Sequence, residues 1–354
     1  MDTRNSPAGT GNPSADTGNS PAGTRKPPVV VVLHGADRPP GMGPAGEMAG
    51  IRYATERELA ASLPGADVLF VWDFLSGALQ EHWPRATALR WVHVASAGVD
   101  RVLFGELAAS DVVVTNSRGV FDEPMAEYVL ALVLCFAKDL HTTISLQRQR
   151  RWQHRETNRL RGGRVLVVGT GPIGRAIGRR LAAAGMTVSG IGRTARDGDP
   201  DLHDIRPFGQ LHEMLGEADY VVLAAPLTGE TEGMIDAAAL ARMKPAARLI
   251  NVGRGALVVE PDLAEALAAG RIGGAALDVF ADEPLPESSP LWDMPNVIVS
   301  PHMSGDVTGW REELVELFTR NLRRYRDGAP LLNVVDKQRG YVSSAAGGGR
   351  GEGG

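Results

Sequence analysis

The sequence predicts an α/β protein of two lobes, each built on a parallel sheet, and three observations predict it. Continuous apolar runs such as Val29–Leu33 and V-L-V-V at 165–168 alternate with helix-like stretches in two successive series. A glycine-rich turn, G-T-G-P-I-G at 169–174, stands between the second of those runs and the helix-like R-A-I-G-R-R-L. Finally, 354 residues at 43% hydrophobic content can bury one large core or two moderate ones.

Residues 1–27 are rich in Ser, Pro, Gly, Asn and Thr and repeat N-S-P-A-G-T at 5–10 and 19–24. Such a segment buries too little apolar surface to offset its ordering entropy, so it reads as a disordered tail, as does 343–354. Strands are expected at Val29–Leu33, Ala66–Trp72 and Leu89–Val94, with helices at Glu56–Leu63 and Leu75–His82. Asp122–Leu140 reads as one long helix connecting the lobes, with Pro124 in its first turn, where a missing N–H does no harm. The second series places strands at 164–169, 187–191, 219–224, 247–251, 273–278 and 297–300. Helices at Ile173–Ala184 and Pro261–Ala269 fill two of the gaps, giving a doubly wound sheet of the Rossmann kind. Gly309–Asp327 reads as helix.

Composition narrows the function. A net charge of −5 offers no field for a polyanion, so nucleic acid is not expected as a partner. The basic stretch R-Q-R-R-W-Q-H-R at 148–155 reads as a solvated face. Cys135, the one cysteine, excludes an internal disulfide and suits a reducing compartment. It lies in Y-V-L-A-L-V-L-C-F-A, short of the ~20 apolar residues a membrane span needs. With a polar start to the chain, a cytoplasmic protein without membrane contact is expected. The histidines at 34, 82, 93, 141, 154, 203 and 212 show no zinc-site spacing, and no metal is expected.

The turn at 169–174 predicts a dinucleotide site. Gly169 permits a tight turn, Gly171 lets the backbone approach a pyrophosphate, and Gly174 lets the helix opened by Pro172 and Ile173 pack on the sheet. An NAD site places Asp or Glu at the end of the second strand, to hold the ribose 2′-OH. Here that strand runs M-T-V-S-G-I-G-R-T, with Gly192 at the acidic position and Arg193, Thr194 and Arg196 beyond it. A cation and a hydroxyl suit a 2′-phosphate, so NADP(H) is expected over NAD(H).

Downstream lie N-V-G-R-G at 251–255, L-D-V-F-A-D-E-P at 277–284 and S-P-H-M-S-G at 300–305. Arg254 can grip a carboxylate with its planar fork. His302 can donate or accept a proton near neutral pH, and Glu283 can hold the imidazole and favour its charged form. With A-S-A-G-V-D at 95–100 and A-P-L-T-G-E-T at 225–231, these blocks resemble the D-isomer-specific 2-hydroxyacid dehydrogenases over about residues 64–305. That family includes glyoxylate/hydroxypyruvate reductases.

The resemblance implies that a nucleotide-binding Rossmann domain over 122–305 is inserted into a smaller, flavodoxin-like substrate domain of 28–121 plus 306–335. It implies catalytic roles for Arg254, Glu283 and His302, and a second grip on the substrate carboxylate by Ser96, Ala97, Gly98 and Val99. It implies that Asp278 meets the nicotinamide carboxamide. Ala225, Pro226, Thr231, Val252, Gly253, Arg254, His302 and Gly305 complete the implied cofactor pocket, and a homodimer through the nucleotide-binding domain is implied as well. The expected reaction moves a hydride between NADP(H) and a small 2-keto or 2-hydroxy acid of D configuration. Glu283 stands where formate dehydrogenases carry glutamine, which sets formate aside. Phosphite oxidation and a dinucleotide-sensing corepressor role use the same three residues and stay open. Trp72 and Phe74, after a first-lobe strand, could shape the pocket or pack in the core.

Overall fold

The computed structural model describes residues 26–342. The tail expected over 1–27 lies outside them but for Lys26 and Pro27, and that over 343–354 lies outside them entirely. Two parallel sheets organise the chain. The first holds β1 (Val29–Leu33), β2 (Gly50–Ala54), β3 (Val68–Val71), β4 (Trp91–Val94) and β5 (Val113–Asn116), in the order β2-β1-β3-β4-β5. This is the flavodoxin-like order. β3 and β4 are buried along their whole length, as sequences that are apolar but for His93 require. The expected strands are present, while β2 and β5 are additions. Both are edge strands, and β2 alternates exposed with half-buried residues, so neither carries a continuous apolar run.

The second sheet holds β6 (Arg164–Val168), β7 (Thr187–Gly192), β8 (Arg196–Asp199), β9 (His203–Pro207), β10 (Tyr220–Leu223), β11 (Arg248–Asn251), β12 (Gly274–Leu277) and β13 (Val297–Val299). Its order is β13-β12-β11-β10-β6-β7-β9-β8, parallel except for β8 against β9. The winding reverses between β6 and β10, which opens a crevice beyond their carboxyl ends. The polar β8–β9 hairpin was not legible as strand. Asp199, fully buried, holds it by accepting from Arg175 at 2.8 and 2.9 Å and from Arg196 at 3.1 Å. Burial works against that carboxylate's charge, but Arg175 and the Asp201 amide outweigh it and hold its pKa at about 2.

The long helix expected over 122–140 ends at Ala137, and a second helix, Leu140–Arg148, leaves at 65°. Asp139 makes the break with φ 49°, a left-handed conformation that Asp tolerates, and its carboxylate is fixed by Arg155 Nε at 2.6 Å. The helix Asp122–Ala137 packs Ala126, Val129 and Val133 against Ala176, Ile177 and Leu181 of the helix Pro172–Ala183. Near the C-terminus, the helix Trp310–Arg326 packs Leu314, Phe318 and Leu322 on the first sheet. Phe318 stacks on Phe70 with ring centroids 4.1 Å apart. Trp72 is buried in that same core and Phe74 packs on the sheet's other face, so both serve packing. Among the described residues, no single helix is long and apolar enough to cross a membrane.

Candidate active site

The expected cofactor residues follow the carboxyl ends of β6, β7, β10, β11 and β12, and the turn after β4 meets Arg254 from the first lobe. Gly169 adopts φ +111°, and a Cβ there would lie 2.6 Å from the Ala224 carbonyl carbon. A Cβ on Gly174 would lie 1.9 Å from Gly169 O, so the helix Pro172–Ala183 sits too close to the strand for any side chain. Gly171 differs, because a Cβ there would meet nothing within 4 Å. The protein's own packing does not demand that glycine, whereas an approaching pyrophosphate would. The amides of Gly171, Ile173 and Gly174 donate to no group among the described residues, which leaves the helix N-terminus open to an anion. The residues present therefore fit a dinucleotide.

Around this cradle the other expected cofactor residues cluster. A Cβ on Gly253 would lie 3.0 Å from Ala225 O, which places Val252–Gly253 and Ala225–Pro226 along one wall. Thr231 is buried, and its hydroxyl donates to Pro226 O at 2.7 Å while accepting from Thr228 N at 2.9 Å. It braces the turn rather than offering a free donor. Gly305 abuts Phe121, where a Cβ would lie 2.7 Å from the ring. Gly192 ends β7, and its bareness has a steric cause, since a Cβ there would lie 2.7 Å from Thr170 Oγ1. Arg193 and Thr194 are exposed beyond it, while Arg196 is committed to Asp199.

The turn after β12 fixes the histidine. Asp278 is fully buried and accepts from Ser300 Oγ at 2.6 Å, Met303 N at 3.0 Å and Ser304 N at 2.8 Å. His302 N donates to Asp278 O at 2.8 Å, and His302 takes φ 51°. The carboxylate thus builds the turn that presents the imidazole, and this second role of Asp278 was missed in the sequence. His302 Nδ1 lies 2.9 Å from Glu283 Oε2, so Nδ1–H donates and Nε2 is left for proton exchange. Glu283 also accepts from Phe280 N at 3.0 Å. Burial pushes its carboxyl upward, but the bonds from His302 and Phe280, with the charges of His302 and Arg254, hold it below the usual range.

Arg254 follows β11 in a loop tied by Asn251, which donates to Arg254 O at 2.9 Å and accepts from Gly253 N at 3.1 Å. Its Nε lies 3.0 and 3.2 Å from the two oxygens of Asp100 in the first lobe. A Cβ on Gly98 would lie 1.8 Å from Arg254 Nη2, so the guanidinium rests on that bare residue. Asp100 is the partner the sequence reading missed. It stood inside A-S-A-G-V-D, and a carboxylate next to a turn expected to meet an arginine was the available signal. The turn itself is braced by Ser96 Oγ donating to Gly98 O at 2.6 Å and Asn116 Nδ2 donating to Ala97 O at 2.6 Å. The amides of Ala97, Gly98 and Val99 donate to no group among the described residues, leaving a nest of N–H groups beside Arg254. Among those residues, no three His, Cys, Asp or Glu side chains group as a metal site would need.

A dinucleotide cradle, an arginine shared between lobes and a carboxylate-held histidine are the groups that a nicotinamide-dependent oxidoreductase of a small carboxylate would need. Comparison with known proteins narrows the class. Residues 130–304 match the family model described as D-isomer specific 2-hydroxyacid dehydrogenase, NAD binding domain. Glyoxylate reductase of Thermococcus gammatolerans is 34% identical over 268 residues, covering 73% of this chain and 79% of that protein. Among solved structures, the NADPH-dependent glyoxylate/hydroxypyruvate reductase SmGhrA of Sinorhizobium meliloti, in complex with NADP and sulfate, superposes with TM-score 0.76 at 30% identity. That match covers 89% of this chain and 100% of the neighbour. SmGhrB of the same organism, in complex with NADP and malonate, gives 0.77 at 29% identity over 90% and 99%. The chain belongs to the D-isomer specific 2-hydroxyacid dehydrogenase family.

Proposed function

We propose that the protein is an NADPH-preferring reductase of small 2-keto acids such as glyoxylate or hydroxypyruvate, giving glycolate from the first and the D-hydroxy acid wherever C2 becomes a stereocentre. The observation that carries the reading is the meeting of Arg254 with the Gly98–Asp100 turn beside the His302–Glu283 pair. The free amides of 97–99 and the Arg254 fork bind the substrate carboxylate from two sides. Bound NADPH supplies a hydride from nicotinamide C4 to C2 of the keto acid. As charge builds on the carbonyl oxygen, Arg254 stabilises it and protonated His302 donates through Nε2. Glu283 keeps the imidazolium in place, and the reverse reaction uses His302 as the base.

Support for the cofactor preference is the lack of a carboxylate at Gly192 with Arg193 and Thr194 exposed beyond it, and the NADP held by both Sinorhizobium reductases. Support for a homodimer through the nucleotide-binding lobe is apolar exposure on one stretch: Leu140 at 44%, Ile144 at 49% and Trp152 fully exposed. A reducing, cytoplasmic setting fits the single free thiol. The test is steady-state turnover of glyoxylate, hydroxypyruvate and larger 2-keto acids, with NADH and NADPH in parallel. Glyoxylate or hydroxypyruvate should turn over best, and with NADPH. No turnover on any 2-keto acid would overturn the reading.

A further inference from the structure

After the helix Trp310–Arg326 the chain returns to the edge of the first sheet. Val334 bridges Thr115, and Val335 N donates to Val114 O at 2.8 Å. Asp336 and Tyr341 then close a small hairpin, with Asp336 N donating to Tyr341 O at 3.0 Å. Lys337 pins it to the first lobe, its ammonium donating to Leu107 O at 3.1 Å, to Val112 O at 3.0 Å and to Ser110 O. Arg118 Nη1 adds a bond to Val342 O at 3.2 Å. The hairpin is therefore part of the substrate lobe by every anchor it has.

Its one aromatic ring nevertheless serves the other lobe. Arg193, at the end of β7, lies with its guanidinium carbon 4.7 Å from the centroid of Tyr341. Among the described residues Arg193 forms no salt bridge and donates to no acceptor, whereas its neighbours Arg196 and Arg206 are paired with Asp199 and Asp197. A guanidinium held by its face keeps all the N–H groups on its edges free, the arrangement that receives a phosphate bidentately. The Tyr341 hydroxyl is shut off from solvent and has no partner among the described residues. The ring, not the hydroxyl, is thus what this position contributes.

We propose that Tyr341 is a positioning residue for the cofactor: its ring orients Arg193 toward the 2′-phosphate, so that the substrate lobe's C-terminal hairpin sets the NADPH preference of the nucleotide lobe. The proposal rests on the reading of Arg193 as the 2′-phosphate ligand. Binding of NADPH and of NADH to the full chain, followed by nicotinamide fluorescence, tests it without turnover. Tyr341→Ala should weaken NADPH about two- to fivefold, the scale of an exposed cation–π contact, and leave NADH unchanged. Tyr341→Phe should bind both cofactors as the parent does. In an Arg193→Ala background, Tyr341→Ala should have no further effect. Tyr341→Leu keeps the bulk without the π face and should repeat the alanine result if the smaller variant loses stability. Equal weakening of both cofactors, unchanged NADPH binding, or a phenylalanine variant as weak as the alanine one would each overturn the proposal. If the parent prefers NADPH and loses that preference with Arg193→Ala, while Tyr341→Ala is silent, only the role of Tyr341 fails. If the parent shows no preference and Arg193→Ala changes nothing, the 2′-phosphate reading fails and takes this proposal with it.

Discussion

Arg254 serves two partners with one guanidinium. Nε is held by Asp100, which leaves the Nη2 edge against Gly98 and the free amides of the turn. Lysine retains the charge but cannot span both partners, so Arg254→Lys should lower kcat/KM about ten- to a hundredfold, the worth of one charge-assisted hydrogen bond. Steady-state kinetics on glyoxylate would measure it, and near-parent efficiency would remove Arg254 from substrate binding. In the proposed reaction His302 would act through Nε2, because Nδ1 is taken by Glu283. His302→Ala should cut turnover by roughly two to four orders of magnitude while NADPH binding survives. Retained turnover would refute the proton-donor role. The Glu283 effect has a definite sign. Ionised Glu283 accepts from His302 Nδ1 at 2.9 Å, and the charges of His302 and Arg254 help keep that carboxyl below its usual range. Glu283→Gln removes the anionic partner of Nδ1–H, and the alkaline limb of the reduction profile should move to lower pH. An unmoved limb would mean that Glu283 does not govern the histidine's proton.

Strand interiors were readable and strand ends were not. β1, β3 and β10 are continuous apolar runs, as is β6 after Arg164, because both faces of a central parallel strand are covered, and β4 breaks the run only at the buried His93. The edge strand β2 and the polar β8–β9 hairpin lack that pattern, and only pairing with a neighbour or the Arg175–Asp199 contact makes them strands. The glycine cradle was legible because its spacing lies within one turn, and the pairing of Glu283 with His302 was legible only from the order of separate motif blocks at 277–284 and 300–305. Asp100, the anchoring role of Asp278 and the Thr170–Gly192 contact were not, because each depends on a residue brought near by the fold. The last of these changes how cofactor preference can be reversed. Gly192→Asp with Arg193→Ala supplies a carboxylate for the ribose diol and removes the proposed 2′-phosphate ligand. Yet the new Cβ would press on Thr170, whose Oγ1 and Cγ2 lie at 2.7 and 2.8 Å. The pair of changes alone should therefore impair use of both cofactors. Adding Thr170→Ala should restore activity with NADH now preferred, as kcat/KM for each cofactor would show. A double variant that already favours NADH would mean Thr170 yields freely.

At the scale of the whole molecule, the two lobes meet at one arginine, and on the proposed function catalysis depends on that meeting. The nucleotide lobe supplies Arg254 on the loop after β11, and Gly255 lets that loop lie against Phe280, where a Cβ would come within 1.8 Å of the backbone. The substrate lobe supplies Asp100 to hold the side chain and Gly98 to make room for it. Gly98 carries no left-handed φ, so its backbone accepts any residue, and space alone forbids a side chain. Gly98→Ala is then a change in one lobe that acts on the other. The methyl group would occupy the place of Nη2, and moving the guanidinium by an ångström or more costs roughly a hundredfold in a positioned reaction. The expected result is a loss of that size in kcat/KM for glyoxylate, with NADPH still bound at the cradle of 169–174, which lies in the other lobe. Asp100→Asn keeps the shape but weakens the hold on Nε, and should give a smaller loss of the same kind. If Gly98→Ala left kcat/KM intact, Arg254 would have another way to reach the substrate, and the meeting of the lobes at this residue would not be what assembles the site.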